Sequence, residues 1–501
     1  MNILLISPPH YRLFDFSLDN IIPWGLTYIA SVIKKSGHKV KIYCTEFNKE
    51  LTSLGFRNFN LLYIKNRWQC YKTIEDINAP IWDEIEGVIS SVMPDIVGIT
   101  SVTPTYDSAV NISKIVKKID NKIPVIFGGI HSSIFPEDVI KEDTIDFVVK
   151  GEGEETFSEL IESINRGNDF KNIRGISYKS NGEIINNYHR PLIGNLDAIP
   201  FPAIDSIINY EDFPLPSLGY ILTSRGCPYE CSFCASCAVW TRKLRLRSPE
   251  NVLSQIKFTK ERYRISQFCF FDDTFTYDKR RVEKICELIC AENLKISWGC
   301  YTRLDALDEN LLLKMKKSGC ANVSVGIETA SDKNLEKMGK GFSTSEIIDK
   351  VKLIKKNGIK INGFVILGFP DDKEEDFSNL KKFVKKIKID TPDMSVMTPY
   401  PGSNLYEKMK EKGKIPSNLR WYAFYPHNPE MNLTTIEQSK FENLLIDFAK
   451  FQHRFRLKNK MKLLFSNPNI FLKWTSNFFS LLFSKDGKGI KKIIKLFSFN
   501  K

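Results

Sequence analysis

Cys227-Pro-Tyr-Glu-Cys231-Ser-Phe-Cys234 is the stretch on which the reading of this chain turns. Its three cysteines, four and three residues apart, follow an apolar run, Gly219-Tyr-Ile-Leu-Thr-Ser224. Thiolates hold iron in iron–sulfur clusters. Three of them on one short loop can hold three irons of a cubane and leave the fourth iron open to another ligand. Two blander readings fit less well. Cys231, Cys234 and Cys237 form a C-x-x-C-x-x-C run of the ferredoxin kind, but that pattern continues to a cysteine followed by proline. Here Ala238 follows Cys237, and the next cysteine is Cys269. A zinc site usually splits its ligands into two separated pairs, and the sequence offers no second pair. Cys237 is left outside the cluster.

The C-x-x-x-C-x-x-C spacing, with the aromatic Phe233 before the last cysteine, resembles the hallmark of radical S-adenosylmethionine (SAM) enzymes. The resemblance implies a [4Fe-4S] cluster on Cys227, Cys231 and Cys234, with Phe233 beside it. It also implies SAM chelated to the open iron and cleaved by electron transfer, usually to a 5′-deoxyadenosyl radical.

At 501 residues the chain is long enough for two or three domains. Its 42% hydrophobic and 26% charged residues are ordinary for a soluble protein. The eleven cysteines show no disulfide framework, and Met1-Asn-Ile-Leu-Leu-Ile-Ser-Pro8 reads as a buried strand, not a leader. A reducing cytoplasm is therefore expected. The charge is unevenly spread. Residues 451–501 carry twelve Lys or Arg against one acid, Asp486, a net +11 of the chain's +13. The body is nearly neutral, and the basic signal belongs to an appendage.

Residues 1–165 alternate short apolar runs with amphipathic stretches. Ile3–Ile6, Val40–Tyr43, Ile96–Thr100, Val125–Phe127 and Phe147–Val149 read as buried strands, and Leu26–Lys35 and Ala109–Ile119 as helices. This predicts an α/β domain, a doubly wound, flavodoxin- or Rossmann-like parallel sheet. Such sheets bind ligands beyond the carboxyl ends of their strands. The loops there are Ser7-Pro8-Pro9-His10, Thr100-Ser101-Val102-Thr103, Gly128-Gly129-Ile130-His131 and Gly151-Glu152-Gly153-Glu154. In that order, ahead of the cysteine motif, they resemble the cobalamin-binding domain of cobalamin-dependent radical SAM enzymes. Pro23-Trp-Gly-Leu-Thr-Tyr-Ile-Ala30 and Pro94-Asp-Ile-Val-Gly-Ile-Thr100 add to the likeness. The resemblance implies cobalamin contacts from Pro9, His10, Thr100, Ser101, Thr103, Gly128, Gly129, His131, Gly151, Glu152 and Glu154. The D-x-H-x-x-G motif that puts a histidine on cobalt is absent, so the lower cobalt face is expected to lack one.

Residues 166–216 read as a connector, with a hairpin at Ser180-Asn-Gly182 and then a proline-rich run. Residues 217–400 alternate again, with strands expected at Tyr220–Thr223, Gln267–Phe271, Ile296–Cys300, Val323–Ile327, Ile361–Leu367 and Met394–Met397. Arg281–Ala291 and Asp349–Lys356 are helices between them. About six βα units suggest an open, TIM-like (β/α)6 partial barrel, as radical SAM domains have. Functional residues then belong at the C-terminal strand ends. The resemblance places Asp272 or Asp273 on the SAM amino group. It places Arg303 on the SAM carboxylate through a forked pairing, Glu328 near the ribose or amino acid moiety, and Gly368 in the adenine-contacting motif.

Residues 401–501 are expected to be a C-terminal helical region with a basic amphipathic tail. Trp421, Tyr422, Phe424, Tyr425 and His427 form an aromatic cluster that could line a substrate cavity or seal the barrel. Ile470–Phe483 is too short, and too interrupted by Lys473, to span a bilayer as a helix. With Ile490–Phe497 it reads either as an interfacial segment at the inner membrane face or as a helical cap on the barrel. RNA binding is not expected, because the tail lacks an RNA-binding module. The resemblance implies an enzyme that methylates an unactivated carbon of a small-molecule or lipid-like substrate. Its cofactors would be the [4Fe-4S] cluster, SAM and cobalamin, and its partner an electron donor such as flavodoxin or ferredoxin. The alternatives are a cobalamin-using cyclase or rearrangement enzyme, and an RNA-modifying methylthiotransferase. The last needs a second cluster, and only Cys44 and Cys70 precede residue 227.

Overall fold

The aliphatic runs Asn2–Ser7 (β1), Lys39–Cys44 (β2), Ile96–Thr100 (β3), Val125–Gly128 (β4) and Phe147–Val149 (β5) pair in parallel, in the order β2-β1-β3-β4-β5. The computed structural model describes residues 1–14, 17, 22–49, 59–415 and 419–466. Helices cover both faces of the sheet. Trp24–Lys35 and Gly153–Arg166 pack on one, Pro80–Val92 and Tyr106–Ile119 on the other. Burial on both sides is why these strands read as continuous apolar runs. The order reverses between β1 and β3, which opens a crevice at their carboxyl ends.

The hairpin assigned from sequence to the connector belongs to this sheet. Ile176–Ser180 (β6) pairs antiparallel with β5, and Glu183–Asn186 (β7) pairs with β6. Asn181 and Gly182 both take positive φ, 53° and 81°. That is the backbone a two-residue turn needs to match strand twist.

The second sheet holds Tyr220–Ile221 (β8), Gln267–Phe270 (β11), Ser297–Thr302 (β12), Cys320–Glu328 (β13), Lys360–Leu367 (β14) and Thr391–Val396 (β15). A short antiparallel pair, Ser224–Arg225 (β9) and Arg245–Leu246 (β10), stands beside it. The six strands run parallel in the order β15-β14-β13-β12-β11-β8, an open half-barrel. Alternation sets its two faces. Val323, Val325 and Ile327 of β13 point to the helices and are fully buried, whereas Asn322 and Gly326 face the concave side and are half-buried.

Several elements differ from expectation at their ends. Thr344–Lys356 starts five residues before its apolar period, because Ser343 and Glu346 form a capping box. β8 stops at Ile221 because the backbone N–H groups of Thr223 and Ser224 donate to the Asp272 carboxylate instead of to a neighbouring strand.

The C-terminal helix Gln438–Ser466 packs along the edge strand β15 and against Phe59–Glu75 of the first domain. Phe441, Leu445 and Phe448 are fully buried. The Gln452 amide donates to Pro392 O and to Asp393, each at 3.0 Å, and its Oε1 accepts from the Asn60 amide at 2.8 Å. This part of the tail is a cap that ties both domains together. Ile470–Phe483 and Ile490–Phe497 lie outside the described residues.

Candidate functional site

The cysteine loop leaves β9 at the carboxyl end of the half-barrel. Each sulfur meets a different polar group. Cys227 Sγ lies 3.8 Å from Thr274 Oγ1, Arg303 Nη1 lies 3.6 Å from Cys231 Sγ, and the Ser236 N–H donates to Cys234 Sγ at 3.4 Å. Burial pushes the Cys227 thiol up and the Cys234 thiol to about 11. Among the described residues no three His, Cys, Asp or Glu side chains converge on a single-ion site. A cubane asks for the opposite arrangement, one thiolate on each of three separate irons. Three half-buried free thiols on one loop, each beside a donor, fit such a cluster. Cys237 sits on the short helix Ser236–Trp240 beyond the loop.

The two aspartates after β11 divide their work. Asp272 is buried and clamps the end of β8, accepting from the Thr223 N–H at 2.6 Å, the Ser224 N–H at 3.1 Å and the Thr223 hydroxyl. Asp273 accepts from the Ser236 hydroxyl, beside the cysteine loop. Burial raises the Asp273 carboxyl, and that hydroxyl opposes the shift.

Arg303 is differently engaged from expectation. Its Nε and Nη2 grip Asp305 at 3.0 and 2.8 Å, and Nη2 also donates to Lys340 O. The fork expected to take the SAM carboxylate is thus filled by a carboxylate of the chain itself.

Glu328 ends β13 with φ 60°, in the left-handed region, and pairs with Lys340 Nζ at 2.6 Å. Both are buried. A Cβ on Gly326 would fall 2.1 Å from Glu328 Oε1 and 3.0 Å from Lys340 Nζ, so a side chain there would displace this ion pair. Lys340 Nζ also lies 5.5 Å from the Phe233 ring centroid. Lys340 was not singled out from sequence. Its only local signal is the pair of flanking glycines, Gly339 and Gly341, both at positive φ. Gly368 has φ +84°, and a Cβ there would meet the Phe441 ring at 2.9 Å, so it accommodates the C-terminal helix.

A cavity of about 310 Å³ opens between the two sheets. The first domain lines it with Thr100, Gly128, Gly129, Gly151, Glu152 and Glu154, and the half-barrel with Phe271, Asp272 and Asp273. A Cβ added at Gly25 or Gly151 would meet nothing within 4 Å, and one at Gly128 nothing closer than 3.9 Å. These glycines keep open a space that side chains would fill, which fits a large cofactor laid over the strand ends.

Pro9, His10, Ser101, Thr103 and His131 are not in that lining. His10 stacks on Tyr425 at 4.2 Å, and its backbone N–H and those of Tyr11 and Arg12 are gathered by Glu46. Ser101 Oγ lies 3.0 Å from Ser132 Oγ, and His131 Nδ1 3.3 Å from Thr103 Oγ1. Burial pushes His10 and His131 down to about 3, so both are neutral. Trp421 packs on His131 and Tyr425 on His10, Tyr422 joins the same core, and Phe424 turns the other way, toward Tyr406.

Below the cavity, four aromatics cross the concave face of the half-barrel. Tyr220 meets Phe271 edge-on at 5.5 Å, Phe271 meets Tyr301 edge-on at 5.0 Å, and Tyr301 stacks with Phe364 at 5.9 Å. All four retain exposed surface.

The Radical SAM superfamily model matches residues 221–384, and the B12 binding domain model matches residues 18–161. An uncharacterized methyltransferase of Pyrococcus horikoshii is 35% identical over 453 residues, 89% of this chain and 91% of its own. The chain belongs to the B12-binding radical SAM enzymes. The enzyme is also 26% identical over 424 residues to the anaerobic magnesium-protoporphyrin IX monomethyl ester cyclase of Rubrivivax gelatinosus, covering 83% of this chain and 71% of the cyclase. Its fold matches the radical SAM methyltransferase TsrM of Kitasatospora setae with a TM-score of 0.61 at 18% identity, over 82% of this chain and 78% of that one. The enzyme's cofactors are a [4Fe-4S] cluster, SAM and cobalamin.

Proposed function

We propose that this enzyme methylates an unactivated carbon of a small apolar substrate that presents a ring. The observation that carries the reading is the cavity shared by the glycine-lined strand ends of the first domain and by Phe271 and Asp273 of the half-barrel. The relative at 35% identity, named a methyltransferase, supports it. When bound, the cluster and SAM supply a radical able to abstract hydrogen, and cobalamin supplies the methyl group.

The chain's part is to hold and orient. Cys227, Cys231 and Cys234 hold the cluster. Asp273, beside that loop and free of the clamp that occupies Asp272, takes the SAM amino group. Glu328 and Lys340 present a fixed pair of opposite charges beside Phe233, suited to the zwitterionic end of SAM. Thr100, Gly128, Gly129 and Gly151 bed the corrin. The ladder from Tyr220 to Phe364 offers ring faces and edges to the substrate, a surface that favours apolar and planar groups.

Two further contacts belong to this reading. An acidic electron donor such as flavodoxin or ferredoxin reduces the cluster. The basic tail rests on an anionic membrane surface; among the described residues no helix is long and apolar enough to cross a membrane.

The test is anaerobic reconstitution with methyl-labelled SAM, followed by mass spectrometry of candidate substrates. Label in a carbon–methyl product supports the reading. SAM cleavage with an unlabelled, rearranged product would instead favour the cyclase reading, which the relative from Rubrivivax gelatinosus represents.

A further inference from the structure

A buried cluster of four charges joins the two domains at the edge of the cavity. Glu152 and Glu154 follow β5 in the first domain, while Arg225 and Arg245 face each other on β9 and β10. Arg225 spends its two Nη groups on different acids. Nη1 lies 2.7 Å from Glu152 Oε1, and Nη2 binds Glu154 Oε1. Arg245 Nη1 reaches both Glu152 oxygens, at 2.9 and 2.8 Å, and the Ile193 N–H donates to Glu152 at 2.6 Å. The side chains are 12% (Arg225), 7% (Glu154), 5% (Arg245) and 3% (Glu152) exposed.

Sequence reading gave both glutamates to cobalamin. The structure gives their carboxylates to the other domain. Buried ion clusters of this kind seldom stabilise a fold more than apolar packing would, but they fix geometry. A guanidinium that forks to two acids sets both a distance and an angle. Arg225 stands two residues before Cys227, and the Trp240 ring, beyond the cysteine loop, lies 5.2 Å from its guanidinium. The loop with the cluster cysteines is therefore bracketed by the residue that grips the first domain and by the indole stacked on it. Arg225, Glu152, Glu154 and Trp240 all line the cavity.

We propose that Arg225 is a positioning residue that registers the cobalamin domain against the cluster loop and thereby retains cobalamin in the cavity between them. The inference rests on the reading of that cavity as the cobalamin site.

The test uses full-length enzyme reconstituted anaerobically with iron, sulfide and hydroxocobalamin. Cobalamin release is followed by absorbance, alongside iron content and the electron paramagnetic resonance spectrum of the reduced cluster. Arg225→Met is expected to speed release at least about tenfold, the loss of a contact worth about 1.4 kcal/mol, with iron and cluster spectrum unchanged. Arg225→Lys, whose single ammonium cannot fork to both acids, is expected to fall between Met and wild type. The double variant Arg225→Met/Glu154→Gln removes the charge that the single variant strands, and is expected to release cobalamin as fast as Arg225→Met. Recovery of wild-type retention in the double variant would overturn the inference, since the single effect would then be only a stranded charge. Unchanged release from Arg225→Met, or loss of iron together with cobalamin, would overturn it as well. A wild-type enzyme that takes up no cobalamin would instead remove the reading of the cavity.

Discussion

Arg303 places its Nη1 3.6 Å from the sulfur of Cys231 while its guanidinium lies over the Tyr229 ring, 3.8 Å from the centroid. Asp305 holds it there through two hydrogen bonds. A fixed cation at a cluster sulfur favours the reduced, more negative cluster. Arg303→Met should therefore lower the cluster's reduction potential by about 60 mV for each tenfold of stabilisation lost. Redox titration followed by electron paramagnetic resonance reads this directly. A variant with an unshifted potential would show that the sulfur contact is not made in the loaded enzyme.

The cysteines should divide cleanly. Cys227→Ala, Cys231→Ala and Cys234→Ala are expected to lose the cluster and SAM cleavage, whereas Cys237→Ala keeps both, because Cys237 sits beyond the loop on the helix Ser236–Trp240. Iron analysis after anaerobic reconstitution decides it. Iron lost from Cys237→Ala but kept in Cys227→Ala would reverse the assignment.

Two glycines of the cavity wall should fail in different ways. A Cβ at Gly128 meets nothing closer than 3.9 Å, so Gly128→Leu is expected to fold normally and exclude cobalamin. A Cβ at Gly98 would sit 2.7 Å from Leu5 Cδ2 and 3.0 Å from the Phe157 ring. Gly98→Ala should therefore destabilise the first domain by about 1–3 kcal/mol through overpacking. Thermal unfolding and cobalamin uptake, measured on both variants, separate the two effects.

Glu46 gives the first domain a pH dependence. Burial pushes its carboxyl up to about 7, despite the backbone N–H groups of Tyr11, His10 and Arg12. Unfolded, it titrates near its ordinary value, so between about pH 4.5 and 7 the folded chain holds a proton that the unfolded chain has lost. This contribution to stability is therefore largest at low pH, declines as pH rises through that window and is level above it. Glu46→Gln keeps an acceptor without the charge. Its stability relative to wild type should rise across the window by about 3 kcal/mol, at about 1.4 kcal/mol per pH unit. Equal differences at pH 5 and pH 7.5 would contradict this.

The basic tail can be tested without harming the cap. Residues 467–501 carry seven lysines and one aspartate among Phe, Leu, Ile and Trp474. Each lysine near an anionic surface contributes about 1 kcal/mol. Full-length enzyme should co-sediment with phosphatidylglycerol-containing vesicles at low salt and release at high salt, and a chain ending at residue 466 should stay in solution. A chain ending near residue 450 would cut a helix whose Gln452 is bonded to both domains. Equal sedimentation of the full-length and 466-residue chains would rule out the tail as the anchor.

What the sequence disclosed and what it withheld follow one division. Local spacing put Cys227, Cys231 and Cys234 on one loop, and strands buried on both faces showed themselves as aliphatic runs, so both sheets were legible. Partners far apart in sequence were not. Nothing local tells Asp272, turned back on Thr223 and Ser224, from Asp273. Arg303 looked free because Lys340 O and Cys231 Sγ, which fix its direction, are distant in the chain, and nothing local marks Asp305 as the acid it grips. Glu152 and Glu154 looked like ligands of a cofactor because Arg225 and Arg245 are distant in the chain. The ladder from Tyr220 to Phe364 takes one aromatic from each of four βα units, which no window of sequence contains.

The helix Gln438–Ser466 also bears on how the enzyme is made. It is the last described element to leave the ribosome, yet it packs along the open edge at β15, and its Gln452 touches Asn60 of the first domain. Domains fold largely in the order of synthesis. Both sheets can therefore form while the half-barrel still lacks its side wall, and the nascent enzyme passes through a stage with its concave face unguarded. Closure waits until residues 438–466 have been made, so the edge at β15 is walled only after both sheets exist.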